Sequence, residues 1–417
     1  MKRLGSFFAV AEVAESPALQ LAAWLLLFGW FLECYTWSGY ADFTRNAALA
    51  GEQLCWPFFQ SCGSWYFLTL PPLGNTQGLA YAALFSLMVW AAYLLARRRF
   101  SAAFWIFLVL FAWEALVMLM SMRLSVNYWY FHFLYAALFL FARYKLSLLR
   151  AGAVLLYVLS GLSKLNPGWL FGSYFTALQS GLYFIPHALI PFATNAVIFM
   201  ELVLAWFLFH PNRVVRLAVL GVFVVFHVYS AIFVGLLYPA IVLPMMLALF
   251  ASGEPAPWLW RPIRSLLPGA MILILVCAID AVPYFIPGPS RITGEGNKFG
   301  MYMFDANYQC TAVATTRYSD GTESIATSTS VYAIERCDPY ADWFYLKQRC
   351  ALHPNIASIG FTFDTSVDGG PFERIVDVAN ACALSYHAFA HNAWIRIPGV
   401  DPVEIVGVPQ KNEYRPL

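Results

Sequence analysis

Charge is scarce in this sequence. Asp, Glu, Lys and Arg make up only 12% of 417 residues, against roughly a quarter in soluble globular proteins. That shortage excludes an ordinary soluble domain over most of the chain, because too little polar surface would be available to cover it. Basic excess is also missing. The net charge is +2, and no basic tract or aromatic-basic stripe occurs, which argues against a nucleic-acid partner. No Walker loop, GxGxxG, HExxH, GxSxG or haem CxxCH is present, and the seven histidines show no metal-ligand spacing. The sequence therefore predicts no bound nucleotide and no metal. Internal repeats and low-complexity segments are absent. A cleavable signal peptide is not expected, since the apolar stretch after Lys2 and Arg3 is interrupted by Glu12 and Glu15.

What fills the chain is apolar. Hydrophobic residues make up 60%, and the mean hydropathy is +0.63. A membrane span needs about 20 mostly apolar residues. Such stretches predict nine spans, near 17–36, 78–96, 102–121, 131–148, 150–166, 187–209, 214–236, 238–252 and 267–286. Pro239 divides the long run 214–252. Short basic clusters fall at Lys2-Arg3, Arg97–Arg99, Arg143-Lys145-Arg150, Arg213-Arg216 and Arg261-Arg264. With nine spans and a cytoplasmic N-terminus, all five lie on the cytoplasmic side, as the positive-inside rule asks. The expected location is the bacterial inner membrane.

The same topology places two regions outside. One is the first long loop, with Cys55 and Cys62. The other is everything after residue 287, with Cys310, Cys337, Cys350 and Cys382. These six are the candidate disulfide cysteines of an oxidising compartment. The last four admit three pairings, which sequence cannot separate. The expected organisation is a helical transmembrane domain at 1–287 and a small extracytoplasmic α+β domain at 288–417. In the latter, two β-runs flank an Asp320-Gly321 turn and predict a hairpin. Residues 340–352 and 371–390 read as helices, the second entered from Asp368-Gly369-Gly370.

Ionisable side chains inside spans are costly and mark function by default. Here they are Glu114, His132, Lys164, Glu201, His227 and Asp280, with Glu33 and Arg123 near span ends. Glu201 and His227 lie in consecutive spans and read first as a structural pair, with a proton path as the alternative. For Glu114 and Asp280 an interior hydrogen bond is the default. His132 follows the aromatic run Asn127-Tyr128-Trp129-Tyr130. It reads either as an interfacial histidine or as a hydrogen-bond donor to a developing oxyanion.

Lys164 stands in SGLSKLNPGWL, residues 160–170, where an apolar run stops at a Pro-Gly turn and a tryptophan. The bland reading is a boundary anchor whose amine reaches the headgroups. The sharper reading is a base that takes a proton from an acidic hydroxyl such as a phenol, since burial in apolar surroundings disfavours a lysine ammonium. After the turn, Trp169, Phe171, Tyr174 and Phe175 suit an interfacial aromatic belt.

SGLSKLNPGWL resembles the signature of the vitamin K-dependent γ-carboxylase superfamily, known in bacteria as the horizontally transferred transmembrane (HTTM) domain. The matching residues are Ser160-Gly161, Lys164-Leu165, Asn166-Pro167-Gly168, Trp169 and Gly172. The stretch from Glu201 through Phe226-His227, and KFGMYMF at 298–304, resemble later parts of the same family. The likeness is patchy but ordered across about 100–310. In the family's carboxylases the lysine of this motif deprotonates a reduced quinone, whose oxygenation by O2 generates a strong base. That base takes a γ-proton from glutamate, and CO2 adds to the carbanion.

The resemblance thus implies a carboxylase- or epoxidase-type membrane enzyme with Lys164 as base and His132 beside it. Its cofactor would be a reduced quinone of the vitamin K hydroquinone or menaquinol type. The quinone pocket would include Trp169, Asn127 and Tyr130, with Glu201, His227 and Glu114 as structural or proton-path residues. Implied partners are membrane lipid, the quinol, and a secreted peptide or periplasmic protein. The outer part here is much smaller than in the full carboxylases, so quinol oxygenation is the better-supported half of the chemistry. The competing classes are a non-catalytic membrane subunit or assembly partner, and a transporter, for which an inverted repeat is missing.

Overall fold

A computed structural model describes residues 8–49, 54–62, 76–124, 126–176, 185–233, 235–254, 263–300, 302, 305–330, 337–402 and 404–406. The chain divides into two compact units. The first comprises 1–45, 66–162 and 197–278, and the second 46–65, 163–196 and 279–417. The second unit thus gathers two earlier segments with the C-terminal part.

Six helices are long and apolar enough to cross a membrane: Pro17–Ser38, Leu79–Ala96, Phe100–Met120, Lys145–Ser163, His187–Phe209 and Arg213–Phe233. Leu237–Phe250 and Leu266–Asp280 are shorter and apolar. Another helix, Asn127–Phe141, starts on the aromatic run and ends well before the predicted boundary at 148. The division at Pro239 holds, with that proline in the first turn of Leu237–Phe250, where a missing N–H costs least.

Polarity in the first unit is reversed relative to a soluble protein. On the first long helix Leu21, Trp24, Phe28, Phe31 and Tyr35 recur at spacings of three and four and are exposed. The opposite face buries Ala22, Leu26, Trp30, Glu33 and Trp37. On Arg213–Phe233, Val225, Val228 and Ile232 are exposed while His227 and Ser230 are buried. An apolar exterior over a partly polar interior suits hydrocarbon as the solvent.

Charges from distant parts of the first unit close its helix ends. Lys145 Nζ donates to the carbonyls of Phe139 at 2.5 Å, Ala142 at 2.9 Å and Leu140 at 3.4 Å. These include orphan acceptors at the end of Asn127–Phe141, where a cation also meets the favourable end of the helix dipole. The carboxylate of Glu12 accepts from the backbone N–H groups of Tyr144 and Lys145 at 2.9 and 2.8 Å, at the start of the next helix. Glu254 accepts from Ser16 Oγ at 2.5 Å and Ala18 N at 2.9 Å, at the start of the first long helix. Arg150 in turn donates to the carbonyls of Leu249 and Glu254. Two residues read as mere topology signals, Lys145 and Arg150, are therefore buried structural donors.

The second unit contains an antiparallel five-stranded sheet, in the order β2-β1-β3-β4-β5. The strands are β1 (Tyr308–Tyr318), β2 (Glu323–Ser330), β3 (Ile356–Val367), β4 (Phe372–Val378) and β5 (Glu404–Val406). β1 and β2 form the predicted hairpin about Asp320-Gly321, with Arg317 opposite Glu323. The helix Pro339–Leu352 matches the first predicted helix. Asp338 caps it by accepting from Tyr340 N, and Pro339 opens it. The predicted helix at 371–390 is wrong. That segment is β4 followed by a short turn of 3₁₀-helix, Ala381–Ala383. Phe-Glu-Arg-Ile-Val-Asp-Val carries β-branched residues that fit a pleated surface, and β4 pairs with both β3 and β5. Asp368-Gly369-Gly370 is then the β3–β4 hairpin turn, not a helix start.

All six candidate cysteines form disulfides. Cys55 pairs with Cys62, Cys310 with Cys337 and Cys350 with Cys382, at Cα separations of 5.5, 5.7 and 5.8 Å, inside the range a disulfide requires. The first of these loops is held to the C-terminal part by Tyr340 Oη, which donates to the Cys55 carbonyl at 2.8 Å, and by Gln60 Nε2, which donates to the Tyr386 carbonyl at 2.9 Å.

Candidate functional site

The Lys164 turn belongs to the second unit. The helix Lys145–Ser163 stops one residue before Lys164. A four-residue helix, Pro167–Leu170, follows at once, with Asn166 as its cap. Asn166 Oδ1 accepts from Trp169 N at 3.3 Å, and its Nδ2 donates to the carbonyls of Ser163 and Asp305, each at 3.0 Å. Asn supplies both acceptor and donors, so this one side chain joins the two faces of the turn. Pro167 sits at the first helical position, where its lost N–H is harmless. Gly168 has no room for a side chain, because a Cβ there would run into the Asp368 carboxylate.

This turn places Lys164 out of solvent, at 2% exposure, with Nζ 5.4 Å from the centre of the Trp169 ring. Trp169 is itself buried and stacks on Tyr174 at 4.9 Å, with Phe175 edge-on at 5.6 Å. The amine is enclosed by protein groups and does not face open solvent. Asp368 beside the turn accepts from Asn307 N at 2.9 Å and lies 3.6 Å from Arg291. Burial raises its carboxyl above the ordinary range, against the opposing pull of Asn307 and Arg291.

The other predicted site residues in the membrane helices lie in the first unit, and Asp280 falls in the second. His132 is enclosed by the protein. It is 1% exposed, with Nδ1 3.0 Å from Glu114 Oε1 and Nε2 3.0 Å from the carbonyl of Leu26. Glu114 also receives the indole N–H of Trp30 at 2.7 Å, so the interior hydrogen bond expected of it is present. Glu33 joins the group, with Oε2 3.7 Å from His132 Nδ1. Asn127 and Tyr130 are half-buried in the first turn of Asn127–Phe141.

Glu201 and His227 are both buried, and both are engaged by the helix Lys145–Ser163. Tyr157 Oη pairs with His227 Nε2, and Ser160 Oγ donates to Glu201 Oε1 at 3.5 Å. Tyr157 and Ser160 are three residues apart and share a helix face. Sequence reasoning missed Tyr157, although a tyrosine deep in a span carries a hydroxyl that must find a partner. Asp280 ends its helix half-buried. Of KFGMYMF, Met301, Met303 and Phe304 lie outside the described residues, as do Lys2, Arg3 and Arg261.

Compared with protein-family models, curated proteins and solved structures, the chain matches none.

Proposed function

We propose that this chain is an integral membrane enzyme of the vitamin K-dependent γ-carboxylase type, which oxygenates a reduced quinone with O2. Lys164 is the base. The observation that carries the reading is the enclosed amine of Lys164, held against the indole of Trp169 in a turn folded by Asn166, Pro167 and Gly168. A quinol would supply an acidic phenolic hydroxyl and two reducing electrons. Lys164 and Trp169 suit that group: an amine for the hydroxyl proton and an aromatic side chain beside it. Exclusion of water would protect a strong base formed nearby from being quenched.

In this reading the membrane is crossed nine times, with the N-terminus cytoplasmic. The second unit, which holds the Lys164 turn, faces outward from a bacterial inner membrane. Three disulfides within that unit support the placement, because such bonds persist in oxidising compartments. A lipid-soluble quinol reaches the site through the bilayer. A secreted peptide or periplasmic protein reaches it from outside.

The test is aerobic incubation of the purified protein in lipid with menaquinol or vitamin K hydroquinone, followed by chromatography for the quinone epoxide. Epoxide from the wild type and none from Lys164→Ala is the expected result. A folded wild type that makes no epoxide from either quinol would refute the enzyme reading and leave a non-catalytic membrane subunit.

A further inference from the structure

We infer that Glu33, Glu114 and His132 form a binding site for one divalent first-row transition-metal ion, of the zinc, manganese or iron(II) class, inside the first unit. The three residues come from three different helices: Pro17–Leu49, Phe100–Met120 and Asn127–Phe141. One ligand-type atom from each lies within 4.8 Å of the others, and all three side chains are buried. The site is independent of Lys164 and of the proposed quinol chemistry.

The hydrogen-bond pattern suits something positive at the centre. A backbone carbonyl can only accept, so His132 Nε2 must carry a proton and donate to Leu26. In the neutral ring, Nδ1 then presents a lone pair. That lone pair faces Glu114 Oε1 at 3.0 Å and Glu33 Oε2 at 3.7 Å, and acceptors do not bond to acceptors. With both carboxylates ionised, a proton on Nδ1 would satisfy one contact and still leave a net negative charge buried among apolar helices, which is costly. Glu33 supplies the independent sign. It is fully buried, and neither carboxyl oxygen has a hydrogen-bond partner among the described residues. A protonated Glu33 would have the Glu114 carboxylate as its side-chain acceptor, and Glu114 already accepts from the Trp30 indole and faces His132 Nδ1.

A divalent cation satisfies every group at once. Two carboxylates and one neutral imidazole around it sum to zero charge. Ligand atoms about 2.1 Å from one ion sit roughly 3.0–3.4 Å apart in octahedral or tetrahedral arrangement; His132 and Glu114 lie at 3.0 Å, and Glu33 at 3.7 Å from His132 would close by a few tenths of an ångström on binding. Outer support is in place as well. The non-ligating nitrogen of His132 donates to a backbone carbonyl, and the far oxygen of Glu114 is held by Trp30 at 2.7 Å. Both are habits of metal ligands. Gly29 lies against the imidazole so closely that a Cβ would collide with it, which fixes the ring. One nitrogen with two oxygens favours an intermediate metal over magnesium or calcium, which take oxygen alone. The ion would pin three helices together.

The experiment uses the full chain in detergent or lipid, stripped with chelator and then offered Zn²⁺, Mn²⁺ or Co²⁺ as the bare metal ion. Metal content is read by mass spectrometry, and Co²⁺ by its visible spectrum. One equivalent per chain is expected, with at least tenfold weaker binding in Glu33→Gln and His132→Gln, in line with the roughly 10–100-fold cost of disturbing even outer-shell partners. Gly29→Ala should weaken binding and shift the Co²⁺ spectrum by displacing the ring. A wild type that retains no stoichiometric ion from any of the three overturns the site, and this outcome does not depend on any variant folding. Equal binding by wild type and folded Glu33→Gln also overturns it. Because the readout is metal content, its failure is distinct from failure of the epoxide assay.

Discussion

The two units of this chain are held together by opposite means. In the first, the long helices expose apolar faces, and Glu33, Glu114, Lys145 and Glu201 are buried among them, with Glu12 and Lys145 closing helix ends. In the second, sheet, helix and loops are crosslinked by three disulfides. The two cysteines outside any disulfide among the described residues, Cys34 and Cys277, both belong to the first unit. The contrast shows how one sequence is written for two solvents. Where hydrocarbon surrounds the helices, burial of apolar surface cannot drive association, so packing and buried polar bonds must. Where water surrounds a small domain, apolar burial is limited and covalent links compensate.

The largest expected effect separates catalysis from structure within the second unit. Lys164→Ala should lower epoxide formation by about 10²–10⁴-fold, the usual worth of a positioned base. Lys164→Arg is the sharper variant, because it keeps the charge and removes the base. An arginine variant that retained activity would make Lys164 an electrostatic or structural contact.

Reduction should divide the two units. Replacing Cys310 and Cys337 by serine opens a 27-residue link and should cost the second unit about 3–4 kcal/mol. Hydrogen exchange should show faster exchange in β1 and β3, with little change in Lys145–Ser163. Equal loosening of both units would erase the distinction drawn above.

The matching test in the first unit is Lys145→Met. It leaves the carbonyls of Phe139 and Ala142 without their cation and should cost about 2–3 kcal/mol, the scale of a hydrogen bond to a charged group. Exchange should rise first at the end of Asn127–Phe141. An unchanged exchange pattern there would mean that the carbonyls find other donors.

These residues also show what could be read from the sequence. The Lys164 turn was legible because its parts are consecutive: a cap, a proline at the first helical position, a glycine and a tryptophan act within five residues. The six disulfide cysteines were legible from compartment logic, though their pairing needed the fold. The metal-type trio was not, since Glu33, Glu114 and His132 meet only when three helices pack, and no short spacing records that. Lys145 was misleading for a different reason. A basic residue at a span end satisfies the positive-inside rule whether it faces water or closes a helix. The segment at 371–390 failed because a Gly-Gly turn precedes a strand as readily as a helix, and pairing with β3 and β5 decided the matter.

The smallest predicted effect is one of pH, and it belongs to the second unit alone. Burial raises the Asp368 carboxyl above its ordinary value of 3.8, Asn307 N–H and Arg291 oppose the rise, and Asp305 adds to it. The folded state therefore holds this proton more tightly than the unfolded chain does. Its contribution to stability is fully present below the unfolded value and is lost as pH rises through the folded one. Glu373, also raised by burial, acts in the same direction. Stability of the β3–β4 hairpin should thus decline with rising pH just above the ordinary carboxylate range. Asp368→Asn should flatten that slope, and Asp368→Asn with Glu373→Gln should flatten it further. Hydrogen exchange across β3 and β4, measured at several pH values and corrected for the intrinsic rate, reads the slope directly. The same slope in wild type and both variants would move the origin of any pH sensitivity away from the hairpin beside Gly168, and the Lys164 turn would then rest on a neighbour whose charge does not matter to its stability.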